Sequence, residues 1–404
     1  MKDPRLLRID DFNYDLPDQR IAKFPRKERE HARLLIFEKK AIKEGLFPDI
    51  TGVIRKGDML VINETRVIPA RLLFYKETGA EIEIFCLQPK NADHTSAMSA
   101  KQETTWEVLI GNAKKWKDGF LRKKVMISDL NVVLLAERMH RESGEMIVRF
   151  SWDNDQVSFS EIISACGELP LPPYFERKAE EDDYQRYQTV FARFEGSVAA
   201  PTAGLHFTSA ILNELETSGV VLNKLTLHVG SGTFKPVSTA EMADHEMHGE
   251  FFSVSRAFLQ QLLTHSGRII PVGTTSMRTL ESLYWIGLKL KNGAFVTGQP
   301  ISLKQWEPYG LSATISPQEA IQTILDFLTE ENKNELTGST SVMIAPGYEF
   351  KFASGLVTNF HLPKSTLILL IAGLIGENWK EVYDYALQNE FNFLSYGDSS
   401  ILIP

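Results

Sequence analysis

The chain has 404 residues, a formal net charge of −8 at pH 7 and 43% hydrophobic residues, enough for one large domain or for two domains with a full core. The acidic balance argues against a protein that coats nucleic acid over its whole surface, although a local basic patch can still bind it. Two cysteines, no leader-like start and no apolar run long enough to span a bilayer favour a cytoplasmic protein without a disulfide framework.

The first part of the chain is locally basic and then turns to strands. Its cations between positions 20 and 33 are Arg20, Lys23, Arg26, Lys27, Arg29 and Arg33. From about Ala70 to Phe150, short strand patterns follow one another without a clear helix, and residues 80–88 alternate apolar and polar side chains. The pattern predicts a small antiparallel β-barrel domain over residues 69–151, with a long polar loop at 91–105.

Beyond residue 151 the pattern becomes one of strands that alternate with helices. A helix is predicted to follow the N-cap Thr208 and to end at Gly219, and strand, polar loop and helix are predicted over 268–287 and 355–376. This alternation is typical of an α/β domain with a mainly parallel sheet, here formed by residues 1–68 and 152–404. Residues 289–339 have mixed polarity and a helix pattern at 316–332, so they are interpreted as an insertion in that domain.

The polar residues that could carry chemistry fall in the loops after these strands. They cluster at residues 63–66 with Arg71, and at 202–206, 228–234, 245–248, 273–282, 359–366 and 395–400. Each cluster alone has a structural explanation: Thr274 and Thr275 can cap a helix, and Arg278 and Glu281 can form a surface pair. Their number favours an active site, because loops at the carboxyl ends of parallel strands converge on one rim.

The sequence lacks the motifs that are typical of several other enzyme classes. His245 and His248 are spaced by three residues rather than by the four of a zinc-binding H-E-x-x-H helix, so a His-dependent metal hydrolase is a minor alternative. The chain has no G-x-S-x-G motif for a serine hydrolase and no Walker A loop. A Rossmann glycine motif is absent as well.

Specific strings run in order over nearly the whole chain outside 289–339. They include GDMLVINETRVIPARL at 57–72, PTAGLHFT at 201–208, LTLHVGSGTFKPV at 225–237, VGTTSMRTLES at 272–282, TNFHLPKST at 358–366 and FLSYGDSSILI at 393–403. Together they resemble the S-adenosylmethionine:tRNA ribosyltransferase-isomerase family of queuosine biosynthesis. The sequence departs from that family in having Glu64 for Asp and Ser231 for a bulky apolar residue. It also has TSVMIAPGY at 340–348 and a longer insertion before it.

The resemblance implies an α/β domain with an inserted β-barrel and an unusual transfer reaction. S-adenosylmethionine gives its ribosyl part to 7-aminomethyl-7-deazaguanine at the wobble position of a tRNA, and the ribosyl part is isomerised to give epoxyqueuosine. Adenine and methionine leave, and no metal or cofactor is implied beyond S-adenosylmethionine as co-substrate. The partners are the two substrates, with no membrane; the oligomeric state stays open, with a monomer favoured. The main alternative is a tRNA-binding protein of the same fold without catalysis.

Roles can then be given to the clustered residues. A base must remove a C5′ proton of the sulfonium donor and an acid must help adenine to leave; the candidates are His206, His228 and His361, with the two roles unassigned. Asp398 joins them as a catalytic candidate that, like Glu281, could bind ribose hydroxyls or the acceptor amine. Arg66, or the backbone N–H groups of residues 274–276, could hold the methionine carboxylate. The predicted substrate-binding residues are Asn63, Arg66, Arg71, Thr202, Gly204, Gly230, Gly232, Thr233, Thr274, Thr275, Arg278, Glu281, Asn359, Lys364 and Tyr396.

A basic stretch on the predicted barrel is the candidate for tRNA phosphates. It comprises Lys114, Lys115, Lys117, Arg122, Lys123 and Lys124, and Trp116 is placed to stack on a base. The ordinary alternative is a solvated barrel face.

Overall fold

The computed structural model describes residues 3–90, 92–139, 146–228, 237, 239, 241–295, 299–311 and 315–404. Its strands are β1 (Arg33–Glu38), β2 (Ala41–Leu46), β3 (Met59–Asn63), β4 (Thr65–Val67), β5 (Arg71–Tyr75), β6 (Glu81–Pro89), β7 (Glu103–Gly111), β8 (Phe120–Ile127), β9 (Leu130–Arg138), β10 (Ile147–Trp152), β11 (Gly167–Glu168), β12 (Phe194–Ser197), β13 (Val221–His228), β14 (Glu250–Ser255), β15 (Ile269–Pro271), β16 (Ile301–Leu303), β17 (Glu335–Thr340), β18 (Leu356–Asn359) and β19 (Ser399–Ile403). Its α-helices are α1 (Ile50–Val53), α2 (His94–Ser99), α3 (Phe159–Cys166), α4 (Glu181–Arg186), α5 (Ser209–Thr217), α6 (Arg256–Thr264), α7 (Thr274–Lys291), α8 (Glu307–Gly310), α9 (Pro317–Glu330), α10 (Thr366–Ile375) and α11 (Asn378–Gln388).

The middle of the chain forms an antiparallel sheet with the strand order β11–β5–β6–β7–β10–β9–β8. Among the described residues no ladder joins its two edge strands, so the closed barrel predicted for this region is instead a curled, open sheet. Helix α3 contacts both edge strands, β8 and β11. It buries Phe159, Ile162 and Ile163 in the core of the sheet, and it fills part of the gap between the two edges, where β5 also contacts β8.

The prediction of a polar loop over 91–105 is wrong for part of that segment. Helix α2 begins after Asp93, whose carboxylate accepts a hydrogen bond from the backbone N–H of Ser96 at 2.9 Å. The helix buries His94, Ala97 and Met98. A short helix with a mixed pattern gives too little periodicity to be found from the sequence.

The rest of the chain forms two mixed sheets. The six-stranded sheet has the order β15–β3–β13–β14–β17–β16, and the four-stranded sheet has the order β18–β19–β1–β2. Within the described residues, four ladders of these two sheets are parallel and four are antiparallel. The sheets are therefore mixed, whereas the sequence predicted a mainly parallel sheet. The antiparallel ladders arise because β14 runs opposite to both of its neighbours, β13 and β17, and because β2 and β18 run opposite to β1 and β19.

Residues 289–339 are integrated into the six-stranded sheet. Strand β17 pairs with β14 along its whole length, and α9 packs on α7. The core of the antiparallel sheet also reaches past residue 151, to α3 and β11. The division of the chain into two domains with the predicted boundaries stays a prediction.

Local signals position the helices that border the candidate site. Thr208 accepts a hydrogen bond from the N–H of Ile211 and caps α5, as the sequence predicts. Helix α7 is buried from Thr274 to Leu288 and starts directly after β15. Isolated parallel bridges, Ile269 with Ala353 and Val272 with Val357, bring β15 next to β18. The loops that follow these two strands therefore meet at one edge. None of the helices in the described ranges combines the length and apolar content that a bilayer crossing requires.

Candidate active site

A cleft, here called the first cleft, lies where the loops after β12, β15 and β18 meet. It is lined by residues 199–203, 273–275, 358–362 and 394–395, together with Tyr174, Ser365 and Leu367. The structure thus brings together five of the predicted site residues: Thr202, Thr274, Thr275, Asn359 and His361. Their side chains offer hydroxyl, amide and imidazole groups to one enclosed space.

Hydrogen bonds fix the polar side chains around the first cleft. Thr202 Oγ1 donates to Asn359 Oδ1 at 2.9 Å, and Asn359 Nδ2 donates to His206 Nε2 at 3.2 Å. His361 Nε2 lies 2.9 Å from Thr358 Oγ1. The backbone of His361 is held on both sides, because its N–H donates to Tyr383 Oη at 3.2 Å and its carbonyl accepts from Tyr14. Such restraint keeps the imidazole in one orientation toward the cleft.

His206 lies behind the first cleft rather than in its lining. Its ring packs on Phe47 with centroids 5.2 Å apart. It borders a small adjoining cavity that is also lined by Arg26, Arg29, Arg186 and Tyr396. His206 thus contacts the lining of the first cleft through Asn359 and is not itself part of that lining, whereas PTAGLHFT was predicted to aim this imidazole directly at a ligand.

The first turn of α7 forms the third side of the first cleft. Its N-cap is Gly273, and no side chain caps it. Thr274 and Thr275 line the cleft. An uncapped helix start leaves backbone N–H groups for an anion, so this turn can hold a carboxylate.

His228, by contrast, lies in a separate cleft, here called the second cleft, between the antiparallel and the six-stranded sheets. That cleft is lined by Gln88, Pro89, residues 92–95, Phe194, Thr226, His228, residues 251–253, Pro300, Ile301, Glu335 and residues 337–339. The ring of His228 stacks on that of His94, with centroids 3.8 Å apart and an interplanar angle of 13°. The three histidines predicted to gather in one site are therefore divided, and His94 was not found from the sequence. Its only signal was the cap residue Asp93 before a small-residue run.

The predicted acidic site residues are bound to the protein itself. Asp398 is buried and accepts hydrogen bonds from the backbone N–H groups of Arg33 and Asn392 at 2.8 and 2.7 Å and from Arg26 at 2.7 Å. Glu281 is also buried. It accepts the N–H groups of residues 351, 352 and 353 at 2.8–2.9 Å and the hydroxyl of Tyr348 at 3.1 Å. Both carboxylates thus organise loops, and their role in binding substrate stays a prediction.

Predicted cationic site residues also have structural partners. Arg278 is buried in an ion pair with Glu250, with an N–O distance of 3.1 Å. Arg71 lies on β5 and pairs with Glu83 at 2.8 Å, and Lys364 pairs with Asp10 at 2.7 Å. Arg66 is exposed on β4, outside the lining of the first cleft. None of these four cations lines the first cleft, contrary to the prediction.

The remaining predicted binding residues either make structural contacts or lie outside the described residues. Asn63 Oδ1 accepts from the N–H groups of Thr65 and Leu227 at 3.0 and 3.1 Å and so joins the ends of β3 and β13. Tyr396 donates to Asp183 at 2.8 Å. Gly204 gives room to Phe191, since a Cβ there would lie 2.8 Å from that ring. Gly230, Gly232 and Thr233 lie outside the described residues.

The imidazoles in and behind the two clefts are kept neutral by burial. Burial lowers the pKa of His94 to about 2, that of His206 and His361 to about 3, and that of His228 to about 4. At neutral pH each of the four rings therefore has one N–H donor and one nitrogen lone pair that can accept a hydrogen bond or a proton.

The same pKa shifts predict a loss of stability in mild acid. Between pH 6.5 and about 4 the unfolded chain protonates at these positions and the folded chain does not, so each ring lowers the unfolding free energy by about 1.4 kcal/mol per pH unit. Urea midpoints should fall steeply from pH 6.5 to pH 5, and His206→Gln should flatten that slope. The control His31→Gln, at an exposed position, should leave the slope unchanged; a midpoint that does not vary with pH would contradict the burial of neutral rings.

Some side chains of the basic stretch at 114–124 are exposed to solvent, and others make contacts within the protein. Trp116 is buried and donates to the carbonyl of Gly119 at 3.1 Å, so it cannot stack on a base as predicted. Lys123 donates to the carbonyl of Leu73 at 2.9 Å. Arg122 and Lys124 are exposed on the same face of β8 as Phe120, which is 60% exposed. Phe120 is therefore an exposed aromatic ring of this face, whereas Trp116 is not.

No group of three or more His, Cys, Asp or Glu side chains in the described part of the chain could hold a metal ion. Of the two residues behind the metal-hydrolase alternative, His248 lies beside Glu250, with an N–O distance of 3.6 Å.

Known proteins match the chain over its whole length. A protein of Syntrophomonas wolfei named S-adenosylmethionine:tRNA ribosyltransferase-isomerase is 36% identical and covers 100% of this chain and 99% of its own. One of Acetivibrio thermocellus with the same name is 37% identical, over 98% of this chain and 100% of its own. A solved structure of an S-adenosylmethionine tRNA ribosyltransferase from Thermotoga maritima is 26% identical, covers 97% of this chain and 99% of that chain, and has a TM-score of 0.45. Residues 9–402 match the family described as queuosine biosynthesis protein, and the chain belongs to that family.

Proposed function

We propose that this protein is an S-adenosylmethionine:tRNA ribosyltransferase-isomerase. It transfers the ribosyl part of S-adenosylmethionine to 7-aminomethyl-7-deazaguanine at the wobble position of a tRNA and isomerises it, giving epoxyqueuosine and releasing adenine and methionine. The observation that carries the proposal is the first cleft, where loops from three strands place hydroxyl, amide and imidazole groups around one space. Full-length relatives of the same name support it. The reaction uses no cofactor beyond S-adenosylmethionine as co-substrate, and it takes place in the cytoplasm, where tRNA is found.

The first cleft is the proposed site of the donor. The uncapped first turn of α7 would bind the methionine carboxylate through its backbone N–H groups, with the hydroxyls of Thr274 and Thr275 beside it. Thr202 and Asn359, already joined by a hydrogen bond, would face the ribose. This assignment replaces Arg66 as the carboxylate ligand, because Arg66 is exposed outside the cleft lining.

His361 is the proposed base. It lines the first cleft, and its backbone is fixed by Tyr383 and Tyr14. The positive sulfonium of the donor makes its C5′ protons acidic, and a neutral imidazole can accept one of them. His206 would act as a positioning residue, since it contacts Asn359 from behind the cleft.

The outer face of β8 is the proposed contact with tRNA. Arg122 and Lys124 would meet phosphates and Phe120 would stack on a base. Lys114, Lys115 and Lys117 are exposed in the preceding turn and extend the same basic surface.

The reaction is tested by incubating the protein with S-adenosylmethionine and a tRNA that carries the 7-aminomethyl-7-deazaguanine precursor. The expected result is release of adenine and methionine in equal amounts, dependent on the precursor. Transfer of a methyl group instead, or tRNA binding without any release, would contradict the proposal; the second result would favour a tRNA-binding protein without catalysis.

The tRNA surface is tested by the salt dependence of binding. The double variant Arg122→Ala/Lys124→Ala should reduce the slope of log K against log salt by about 1.5, because each lost phosphate contact removes roughly 0.7–0.9. The control Lys39→Ala/Lys40→Ala removes two exposed lysines from the turn between β1 and β2 and should leave the slope unchanged. Equal slopes for both double variants would exclude β8 from the contact surface.

A further inference from the structure

The floor of the second cleft is an uncovered face of the six-stranded sheet. The pairing of β13, β14 and β17 places Thr226 opposite Ser253 and His228 opposite Phe251, with Thr337 and Ser339 on the next strand. The other face of these strands is buried in the main core through Leu225, Leu227, Phe252, Val254 and Leu336. The cleft has a volume of about 370 Å³, which lies within the range of roughly 300–1,000 Å³ typical of small-molecule sites.

Two large aromatic side chains that line this cleft are exposed to solvent. Phe194 is 40% exposed and Phe251 is 43% exposed, and both line the cleft. The guanidinium carbon of Arg193 lies 4.9 Å from the centre of the Phe194 ring. Exposed aromatic rings next to a cation are the usual stacking platform for an unpaired nucleobase, because every base has a π-face and is followed by a phosphate.

The polar groups of the cleft match the edge of a guanine-like base. Such a base presents N–H donors on its Watson–Crick edge, and the cleft offers acceptors in Glu335 and in the hydroxyls of its floor. Glu335 is already oriented, since its Oε2 accepts from Ser253 Oγ at 2.7 Å. The exposed Lys224 lies on the same face of β13 as Thr226 and can meet a phosphate.

The second cleft is directly connected to the first by one chain segment. Phe194 borders the second cleft and residues 199–203 line the first. Midway between them, Gly196 packs against both stacked imidazoles, since a Cβ there would lie 2.7 Å from His228 Nδ1 and 2.9 Å from His94 Nδ1. The four steps along the chain from Gly196 to Ala200 span at most about 14 Å, so ligands in the two clefts can be close neighbours.

We propose that the second cleft holds the acceptor nucleobase of the tRNA, unstacked from the anticodon loop and placed against Phe194 and Phe251. This inference rests on the proposed function, in which the first cleft holds the donor. The stacked pair of His94 and His228 borders the acceptor base, and the segment from Phe194 to Ala203 leads from this base to the donor.

The test is binding of an RNA hairpin with the anticodon-loop sequence and the fluorescent base 2-aminopurine at the wobble position. Wild-type protein should quench the fluorescence on binding, because stacking on an aromatic ring quenches this base. Phe251→Ala should abolish the quenching and weaken hairpin binding by about 10-fold, whereas Phe251→Trp should retain both. The control Leu46→Ala removes a side chain that is 48% exposed on β2, far along the chain from the cleft, and should behave as wild type.

Two results would overturn the inference: quenching that Phe251→Ala leaves intact, or quenching that appears only when 2-aminopurine is moved away from the wobble position. The proposed function is tested separately by adenine release from wild-type protein. In Phe251→Ala the KM for the tRNA should rise by about 10-fold, while the KM for S-adenosylmethionine stays within about twofold, because the donor binds in the other cleft.

Discussion

Replacing His361 by alanine should lower the rate of adenine release at least about 100-fold, which is the low end of what a general base contributes. The imidazole lines the first cleft and its backbone is fixed by two tyrosine hydroxyls, so the loss should fall on kcat rather than on the KM for S-adenosylmethionine. His206→Phe should act differently. It removes the contact to Asn359 from behind the cleft and should raise the KM for S-adenosylmethionine more than it lowers kcat.

The pH dependence gives an independent readout of the same assignment. Burial lowers the pKa of His361 to about 3, so the ring stays in its basic form well below neutrality. The kcat of the wild type should therefore show no loss between pH 8 and pH 6 from this group, and its acidic limb should lie below pH 5. A full rate in a folded His361→Ala variant, shown by an unchanged circular dichroism spectrum, would move the base to another residue. An acidic limb of kcat near pH 6.5 would also assign the base to another residue.

The elements of this fold could be predicted wherever a local signal decides them. Thr208 before an apolar pattern fixes the start of α5, and the strand and helix patterns on either side of Gly273 fix β15 and α7. The direction of the ladders could not be predicted in this way. Whether β14 runs parallel or antiparallel to β13 depends on the path of the intervening chain, and no side chain in either strand encodes that path. The same limit explains why a closed barrel was predicted where α3 fills part of the gap.

The candidate site shows a similar division. Hydroxyl and amide residues at a strand end or within a few residues after it, such as Asn359, Thr274 and Thr202, meet in the first cleft because strand ends meet at a sheet edge. The charged residues were the least reliable predictors of the candidate site. A motif shows that Asp398 or Glu281 is present, but it does not show that backbone N–H groups already occupy the carboxylate. His228 was misplaced because the position of β13 in the sheet, two strands from β15, is a long-range property.

Removing the buried cation Arg278 should have the largest effect on stability. Arg278 and Glu250 are 3% and 0% exposed, and their pair joins α7 to the start of β14. Arg278→Leu leaves the Glu250 carboxylate in the core beside only the half-buried His248, so the unfolding free energy should fall by about 3–5 kcal/mol. The control Arg55→Leu breaks a more exposed pair with Glu38 at 2.7 Å and should cost less than about 1 kcal/mol. Urea unfolding of the two variants measures the difference.

Two further measurements distinguish the loss of the ion pair from a simple loss of packing. One is the stability of a double variant that lacks both charges, and the other is the pH dependence of stability. Burial raises the pKa of Glu250, but Arg278 and His248 outweigh it and hold the pKa below its usual value, so the wild-type pair stabilises the protein above pH 4.5 and less in stronger acid. In Arg278→Leu burial is no longer offset by the arginine, the carboxyl takes up a proton more readily, and the stability deficit should shrink as pH is lowered toward 5. Arg278→Leu/Glu250→Leu should recover much of the loss, because no uncompensated charge stays in the core. A double variant no more stable than Arg278→Leu, together with a deficit that does not vary with pH, would show that the arginine stabilises α7 by its packing alone.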